Sequence, residues 1–184
     1  MKVLIVAHPD DEIIWFSAQN FDLIIIAFMG RHDRPLAQRC RELAIAEHPL
    51  KERIILLNIE ESGFWKDHTR IHQLEASRET LHHSLLNLKN QFYFTEIFTH
   101  NTAGEYGHDD HILVNELVTS IFTESKIYCP VSLDNGGEQE QTISIKSDLE
   151  FYLAVKDVYI KNKAWTWKHD YMPPTDLYYS LHKH

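Results

Sequence analysis

Cysteine is almost absent from this 184-residue chain: Cys40 and Cys129 stand far apart, with no C-x-x-C pair. That excludes a disulfide framework, and both are expected as free thiols in a reducing compartment. Glycine and proline are scarce as well, six of each, within an otherwise ordinary globular composition of 43% hydrophobic and 24% charged residues. No run of Lys or Arg occurs, and 18 basic side chains against 27 acidic ones leave a net charge of −9. A surface that tracks phosphates is not expected, which argues against nucleic acid or an anionic membrane as a partner. The apolar stretch from Leu23 to Met29 is far too short to span a bilayer. Met1-Lys2 leads directly into an apolar run without the length or cleavage site of a signal peptide, so a cytoplasmic location is expected. Oligomeric state is not legible.

What the chain does have is alternation. Val3 to Ala7, Leu23 to Met29, Arg53 to Ile59, Thr95 to His100 and Lys126 to Val131 read as strands, continuous rather than alternating in hydrophobicity. That is the pattern of a parallel sheet covered on both faces. Between them Glu12 to Gln19, Pro35 to Glu47, Thr69 to Lys89 and Asp110 to Phe122 read as helices. Pro35 suits a first turn, Leu43, Ala44 and Ala46 suggest an apolar face, and Ile71, Leu74, Leu81, Leu85 and Leu88 mark another. The expected fold class is α/β: a Rossmann-like, doubly wound, mostly parallel sheet with helices on both faces and right-handed crossovers. After Val131 the pattern changes to a turn signal at Asp134-Asn135-Gly136-Gly137, a short strand from Gln141 to Ile145, a helix from Asp148 to Ala164, and an irregular aromatic tail from Trp165 to Leu181. One domain over 1–184 is expected, with a core of about 1–131 and a divergent part, 132–184.

Two clusters interrupt this plain background. Ala7-His8-Pro9-Asp10-Asp11-Glu12 packs one imidazole and three carboxylates where the first strand ends, an expensive place for negative charge unless a cation or a reaction needs it. His108-Asp109-Asp110-His111 follows the fourth strand in the same way. In open α/β sheets the ligand crevice lies beyond the carboxyl ends of the strands, where the strand order reverses. With an order of 3-2-1-4-5, strands one and four flank that point and the clusters face each other.

Three neutral or anionic ligands around an open position make a catalytic zinc site. His8 and Asp11, and likewise His108 and His111, are three residues apart and project to one side of a helix start. Asp10 and Asp11 point differently, so Asp11 is assigned to the metal and Asp10 to the base. Zinc lowers the pKa of bound water to about 7, so a weak carboxylate base suffices. His108 or the phenol of Tyr106 could donate to a developing oxyanion, and Asp10 or His108 could return the proton to a leaving amine.

The string Ala7 to Glu12 resembles the AHPDDE signature of the LmbE/PIG-L family of zinc-dependent de-N-acetylases. Gly104 to His111 is similar to that family's second motif, usually H-P-D-H, and Arg39-x-x-Glu42 to its R-x-x-E. The resemblance spans roughly residues 1–130. It implies a Rossmann-like fold and removal of acetyl from an N-acetylated amino sugar in a glycoconjugate, nucleotide sugar or related metabolite. It also implies His8, Asp11 and His111 as ligands of one Zn2+ per chain (Fe2+ as the alternative ion), Asp10 as base, and His108 as oxyanion partner or acid. Asp110, and Glu12 beside it in role, would steady the site from behind; Tyr106 would be a mobile phenol and Arg39 an anchor for a substrate hydroxyl or phosphate. His100, at the end of strand four, could line the substrate pocket. Asp109 replaces the usual proline and could cap the helix, while Trp15-Phe16-Ser17-Ala18 makes a bulkier pocket wall than the usual glycine-rich turn.

Blander and rival readings stand beside these. Tyr106 and Arg39 suit ordinary packing or a surface ion pair almost as well. His68 and His72 have i, i+4 spacing but no Glu between them as in H-E-x-x-H, and read better as a solvated face. Trp165, Trp167, Tyr171, Tyr178 and Tyr179 could stack on a sugar or simply dock the tail. Two His and a carboxylate also form the site of non-haem Fe(II) oxygenases, though that chemistry leaves Asp10 without a task. A sugar-binding protein that has lost turnover is the non-enzymatic alternative.

Overall fold

The computed structural model describes residues 1–63, 65–66, 69–70, 74–131 and 142–182. Strands β1 (Lys2–Val6) and β2 (Leu23–Gly30) are buried along almost their whole length, as their unbroken apolar runs require. β3 (Ile54–Glu60), β6 (Glu96–Thr99) and β7 (Lys126–Pro130) complete a parallel set. A two-stranded ribbon, β4 (Trp65–Lys66) with β5 (Thr69–Arg70), stands apart from it. The sheet order is β3-β2-β1-β6-β7-β9-β8, with β9 (Asp176–Leu181) antiparallel to both β7 and β8 (Thr142–Lys146). Sequence order reverses between β1 and β6, so the crevice expected of a doubly wound sheet opens between those two strands.

Side chains alternate across the sheet and build two cores. Val3, Ile5 and Ala7 of the first strand and its end face α3 (Leu74–Gln91) and α5 (Asp109–Ile121). Leu81, Leu85 and Leu88 of α3, and Leu113, Val114, Leu117, Val118 and Ile121 of α5, recur at helical spacing and bury there. Each such side chain contributes roughly 1.5–3 kcal/mol of burial free energy. On the other face Leu4 and Val6 meet α1 (Asp11–Ile14), α2 (Ala37–Glu47) and α6 (Leu149–Lys161) through Ile13, Ala44, Ile45, Tyr152, Val155 and Tyr159. Asp148 caps α6, its Oδ1 accepting from Phe151 N at 3.0 Å.

Several expected boundaries shift. The first helix is one turn, not a run to Gln19, because Ile13, Ile14, Phe16 and Ala18 all bury, which needs more than one helix face. Pro35 precedes α2 rather than opening it, and the buried face of that helix is Arg41, Ala44 and Ile45; Leu43 is 49% exposed and Ala46 is exposed too. Asp109 begins α5 but does not cap it: His108 does, its Nδ1 accepting from Asp110 N at 3.2 Å. The tail is not irregular throughout. Its last stretch is β9, inserted between β7 and β8, where Tyr179 buries completely and stacks on Phe16. The turn signal at 134–137, Gln141, His68, His72 and Ile71 lie outside the described residues. Among the described residues no helix is long and apolar enough to cross a membrane.

Candidate metal centre

The chain leaves β1 at Val6 and turns within four residues into α1. Asp10 makes this turn in a left-handed conformation (φ 92°), one that Asp tolerates better than most side chains. Its amide donates to Glu12 Oε2 at 2.9 Å, which holds the strained residue in place. Glu12 is fully buried and is itself fixed by Tyr159 Oη, donating to Oε1 at 2.8 Å. This tight turn is what lets His8, Asp10 and Asp11 all face the crevice.

Asp11 Oδ2 is the focus of the site. His8 Nδ1 and His111 Nε2 both lie 3.4 Å from it, so side chains a hundred residues apart converge on one oxygen. The distal nitrogen of each imidazole is held by a buried carboxylate: His8 Nε2 by Asp110 Oδ2 at 3.0 Å, His111 Nδ1 by Glu105 Oε2 at 2.6 Å. In the neutral ring each carboxylate fixes the tautomer, holding the proton on the distal nitrogen and leaving the lone pair of the nitrogen nearer Asp11 for a cation. His111 Nε2 is buried and makes no hydrogen bond, which is costly for a polar atom unless a ligand takes that lone pair. Ser62 supports Asp110 in turn through its amide, at 3.0 Å, and its hydroxyl. Among the described residues three sets place ligand atoms within 4.8 Å of one another: His8 with His108 and His111, Asp11 with His100 and His111, and His8 with Glu61 and Asp110. Two imidazoles and a carboxylate with backed distal nitrogens are a donor set that zinc accepts.

Charges follow this geometry. Burial pushes Asp11 up, but His111, His100 and His8 outweigh it and hold its carboxyl well below the usual range. For His8, burial opposes the cation, yet Asp11 and Asp110 prevail and raise it to about 10. The carboxylates that favour that proton would also favour a metal cation, so a cation taken by His8 would displace a proton. Asp10 is pushed up to about 8, by burial first and then by the charge of Asp11; two hydrogen bonds from Thr166 pull the other way. Those bonds, from Thr166 N at 3.0 Å and Oγ1 at 2.8 Å, both reach Asp10 Oδ2. Burial, together with His8 and His111, lowers His108 to about 3. Its Nδ1 accepts from the Asp110 amide, so the neutral ring carries its proton on Nε2.

A cavity of about 200 Å³ opens beside these atoms, lined by His8, Asp10, Asp11, His108, Tyr106 and Trp167, with Arg31, Arg41 and Glu61 on a polar side. Tyr106 is half-exposed and packs against Trp15 and Trp167 at 6.0 and 5.0 Å between ring centroids.

Two expected site residues are elsewhere. Arg39 is exposed and absent from the cavity wall; Arg41 lies on it instead, buried, donating to Met29 O at 3.1 Å and to Glu61 Oε1 at 2.7 Å. Positions 39 and 41 differ by about 200° around a helix, so only one can face the sheet. His100 does not line the cavity either. Fully buried, it accepts from Ala7 N at 2.9 Å, meets Glu105 at 3.0 Å and stacks on His111 at 3.8 Å, pinning the end of β1 to the second cluster.

Glu105, Glu61 and Thr166 are the residues that motif reasoning missed. Glu105 sits at φ 58° in α4 (Gly104–Gly107), a kinked turn flanked by two glycines of positive φ. At Gly104 a Cβ would come within 2.9 Å of Ile112, so the turn needs glycine there. A carboxylate between Gly104 and Gly107, six residues before His111, is the signal the sequence carries.

No protein-family profile matches the chain. Over 128 residues it is 25% identical to an uncharacterized protein of Acanthamoeba polyphaga mimivirus, a match that covers 65% of this chain and 57% of that protein's length. Among solved structures it is similar to a deacetylase of the teicoplanin biosynthesis pathway in complex with teicoplanin: TM-score 0.64, 10% identity, 98% of this chain and 97% of the other. It is also similar to the zinc-inhibited form of a teicoplanin deacetylase: TM-score 0.61, 12% identity, 89% and 84% covered. Likeness at such identity establishes the fold.

Proposed function

We propose that this chain, whose fold is that of the LmbE/PIG-L-like de-N-acetylases, is a metal-dependent N-deacetylase acting on an N-acetylated amino sugar. The observation that carries the reading is Asp11 Oδ2 with His8 Nδ1 and His111 Nε2 each 3.4 Å away, each of these imidazoles backed by a buried carboxylate, and with Asp10 on the same cavity wall as His8 and Asp11. His8, Asp11 and His111 would hold the ion, Zn2+ or Fe2+. A divalent cation there supplies a Lewis acid for the acetyl carbonyl and a more acidic water.

The chain's own groups supply the rest. Thr166 engages Asp10 Oδ2, which leaves Oδ1 to accept the proton of the attacking water. The same carboxyl then returns that proton to the departing amine, so the products are acetate and the free amino sugar. His108, neutral with its proton on Nε2, donates to the carbonyl oxygen as negative charge develops there, without needing to be a cation. Tyr106 and Trp167 give the cavity an aromatic wall against which a pyranose ring can stack. Glu12 and Asp110 act behind the reacting atoms, one fixing the Asp10 turn and the other the His8 ring.

Metal analysis of protein purified without chelator, together with acetate release from a panel of N-acetylated sugars, tests the reading. We expect about one divalent ion per chain. Asp10→Asn is expected to lower acetate release roughly 10²–10⁴-fold with the metal retained. Metal loss in that variant would exchange the roles of Asp10 and Asp11. A chain that binds no divalent ion would overturn the proposal.

A further inference from the structure

The cavity beside the candidate ligands has a neighbour of about 260 Å³, and Arg31, Arg41 and Thr166 line both. The rest of the second wall includes Arg34 and Lys163, with Leu36 and Trp165 as its apolar part. No carboxylate lines it among the described residues. Two carboxylates stand close behind these cations. Asp33 pairs with Arg31 at 2.8 Å and approaches Arg34 at 4.0 Å, while Glu61 holds Arg41 at 2.7 Å and Arg31 at 3.5 Å. Arg31, Arg34 and Arg41 thus share two carboxylates, and Lys163 adds a fourth positive charge on the same wall, a local positive excess in a chain whose net charge is −9. Lys163 adds an oddity of its own. It follows α6 at φ 58°, a position where a helix end favours glycine, yet the chain places a long cation there. Clustered like charges on a concave wall focus the potential on an anion.

We propose that this second cavity is a phosphate subsite, so that the substrate is an N-acetylated amino sugar bearing a phosphoryl group on the side away from the acetamide. The inference rests on the deacetylase reading and specifies its substrate. With the acetamide at Asp10 and His108, the ring crosses the cavity past Trp167, and the phosphoryl group reaches Arg31, Arg34 and Lys163. Arg34 and Lys163 are exposed and give the group its charge; Arg31 and Arg41, tied to Glu61, give the subsite its position. A sugar monophosphate and a nucleotide diphosphate sugar share this chemistry, and the two are separable by experiment.

The probes are N-acetylglucosamine methyl glycoside, N-acetylglucosamine 1-phosphate and its uridine diphosphate conjugate, assayed for acetate release. The corresponding amines are measured alongside for direct binding by calorimetry. A phosphorylated probe is expected to exceed the methyl glycoside at least tenfold in kcat/KM, and its amine to bind at least tenfold more tightly than the uncharged amine. Raising the salt concentration should erode the advantage, since exposed cations are screened. In the double variant Arg34→Gln, Lys163→Gln the ratio of phosphorylated to uncharged kcat/KM should fall at least tenfold. Preference for the uridine diphosphate form would assign the phosphate to a nucleotide sugar, and the reverse to a monophosphate. Phosphate-dependent binding without acetate release from any probe would defeat the deacetylase reading while leaving the subsite standing. Equal binding and equal turnover of charged and uncharged probes, insensitive to salt in the unaltered protein, would overturn the subsite.

Discussion

The two halves of the sheet do different work. In the parallel half, β1 and β6 lie side by side where the order reverses, and the segments leaving their carboxyl ends carry His8, Asp10, Asp11, His108 and His111. The antiparallel edge, β9 and β8, contributes no candidate ligand. Yet the segment between α6 and β9 sets Thr166 on Asp10 and Trp167 against Tyr106. In the proposed reading the parallel half holds the atoms that react, while the edge half encloses and orients them. The two are unequally legible for the same reason. Ligands sit at fixed offsets from strand ends, whereas an enclosing contact depends on where a distant segment comes to rest.

The largest effects are expected in the parallel half. Asp11→Ala or His111→Ala should abolish stoichiometric metal binding and lower acetate release roughly a thousandfold or more, because the Lewis acid's contribution is several kcal/mol. Metal analysis and a product assay on the same preparation check this. A variant that keeps both metal and activity would remove Asp11 Oδ2 from the centre of the site. Conversely, adding a divalent ion to stripped protein should raise its melting temperature, since the ion binds the folded state alone. Neither alanine variant should show that rise.

Glu105→Gln tests the same half one step further from the ion. The amide still accepts a hydrogen bond but no longer carries the charge that favours a proton on His111 Nδ1. Burial pushes Glu105 up, and the imidazoles of His100 and His111 more than reverse that, bringing it to about 2, so the group is anionic at neutral pH. The expected loss is about 10–100-fold in metal affinity, read by competition with a chelator of known affinity. Unchanged affinity would reduce Glu105 to a brace for the turn.

Much of this architecture is written locally in the chain. Continuous apolar runs identify the buried strands, and leucines at helical spacing identify α3 and α5, because burial patterns repeat with the period of each element. That His8, Asp11 and His111 meet is legible because imidazoles and carboxylates crowded just past a buried strand are costly unless they share partners or a cation. Glu105 was legible only as a carboxylate between two glycines; its contact with His111 depends on a left-handed backbone at a non-glycine residue, which only the folded turn reveals. Thr166 was not because 156 residues separate it from Asp10. The tail strand β9 was hidden by its aromatic composition and by Pro173-Pro174 just before it.

A smaller effect is expected at the edge half. Thr166→Val removes the hydroxyl bond to Asp10 Oδ2 and keeps the amide bond. Both bonds favour the ionised carboxyl, so losing one raises the pKa of Asp10. The base must be ionised to act, hence the acid limb of the kcat profile should move to higher pH. At neutral pH kcat should fall by roughly a factor of ten, about one charge-assisted hydrogen bond, with metal content unchanged. A loss of metal in this variant would mean that the edge half supports the ligands as well, and the division between the halves would fail.

The smallest effect is expected at Arg39. Motif spacing points to Arg39 as an anchor, but the fold turns it outward and sets Arg41 against Glu61. The buried face of α2 runs through 41, 44 and 45, so residue 39 falls on the solvent side, and the register of the helix decides the matter rather than the motif. Arg39→Gln should change stability by no more than about 0.5 kcal/mol, as surface substitutions usually do, and should leave kcat and KM for the preferred sugar as they were. Urea denaturation and steady-state assays on the variant check both. A rise in KM would bring Arg39 back into contact with substrate, which would require α2 to turn by half a revolution or the substrate to extend beyond the cavity across its outer face.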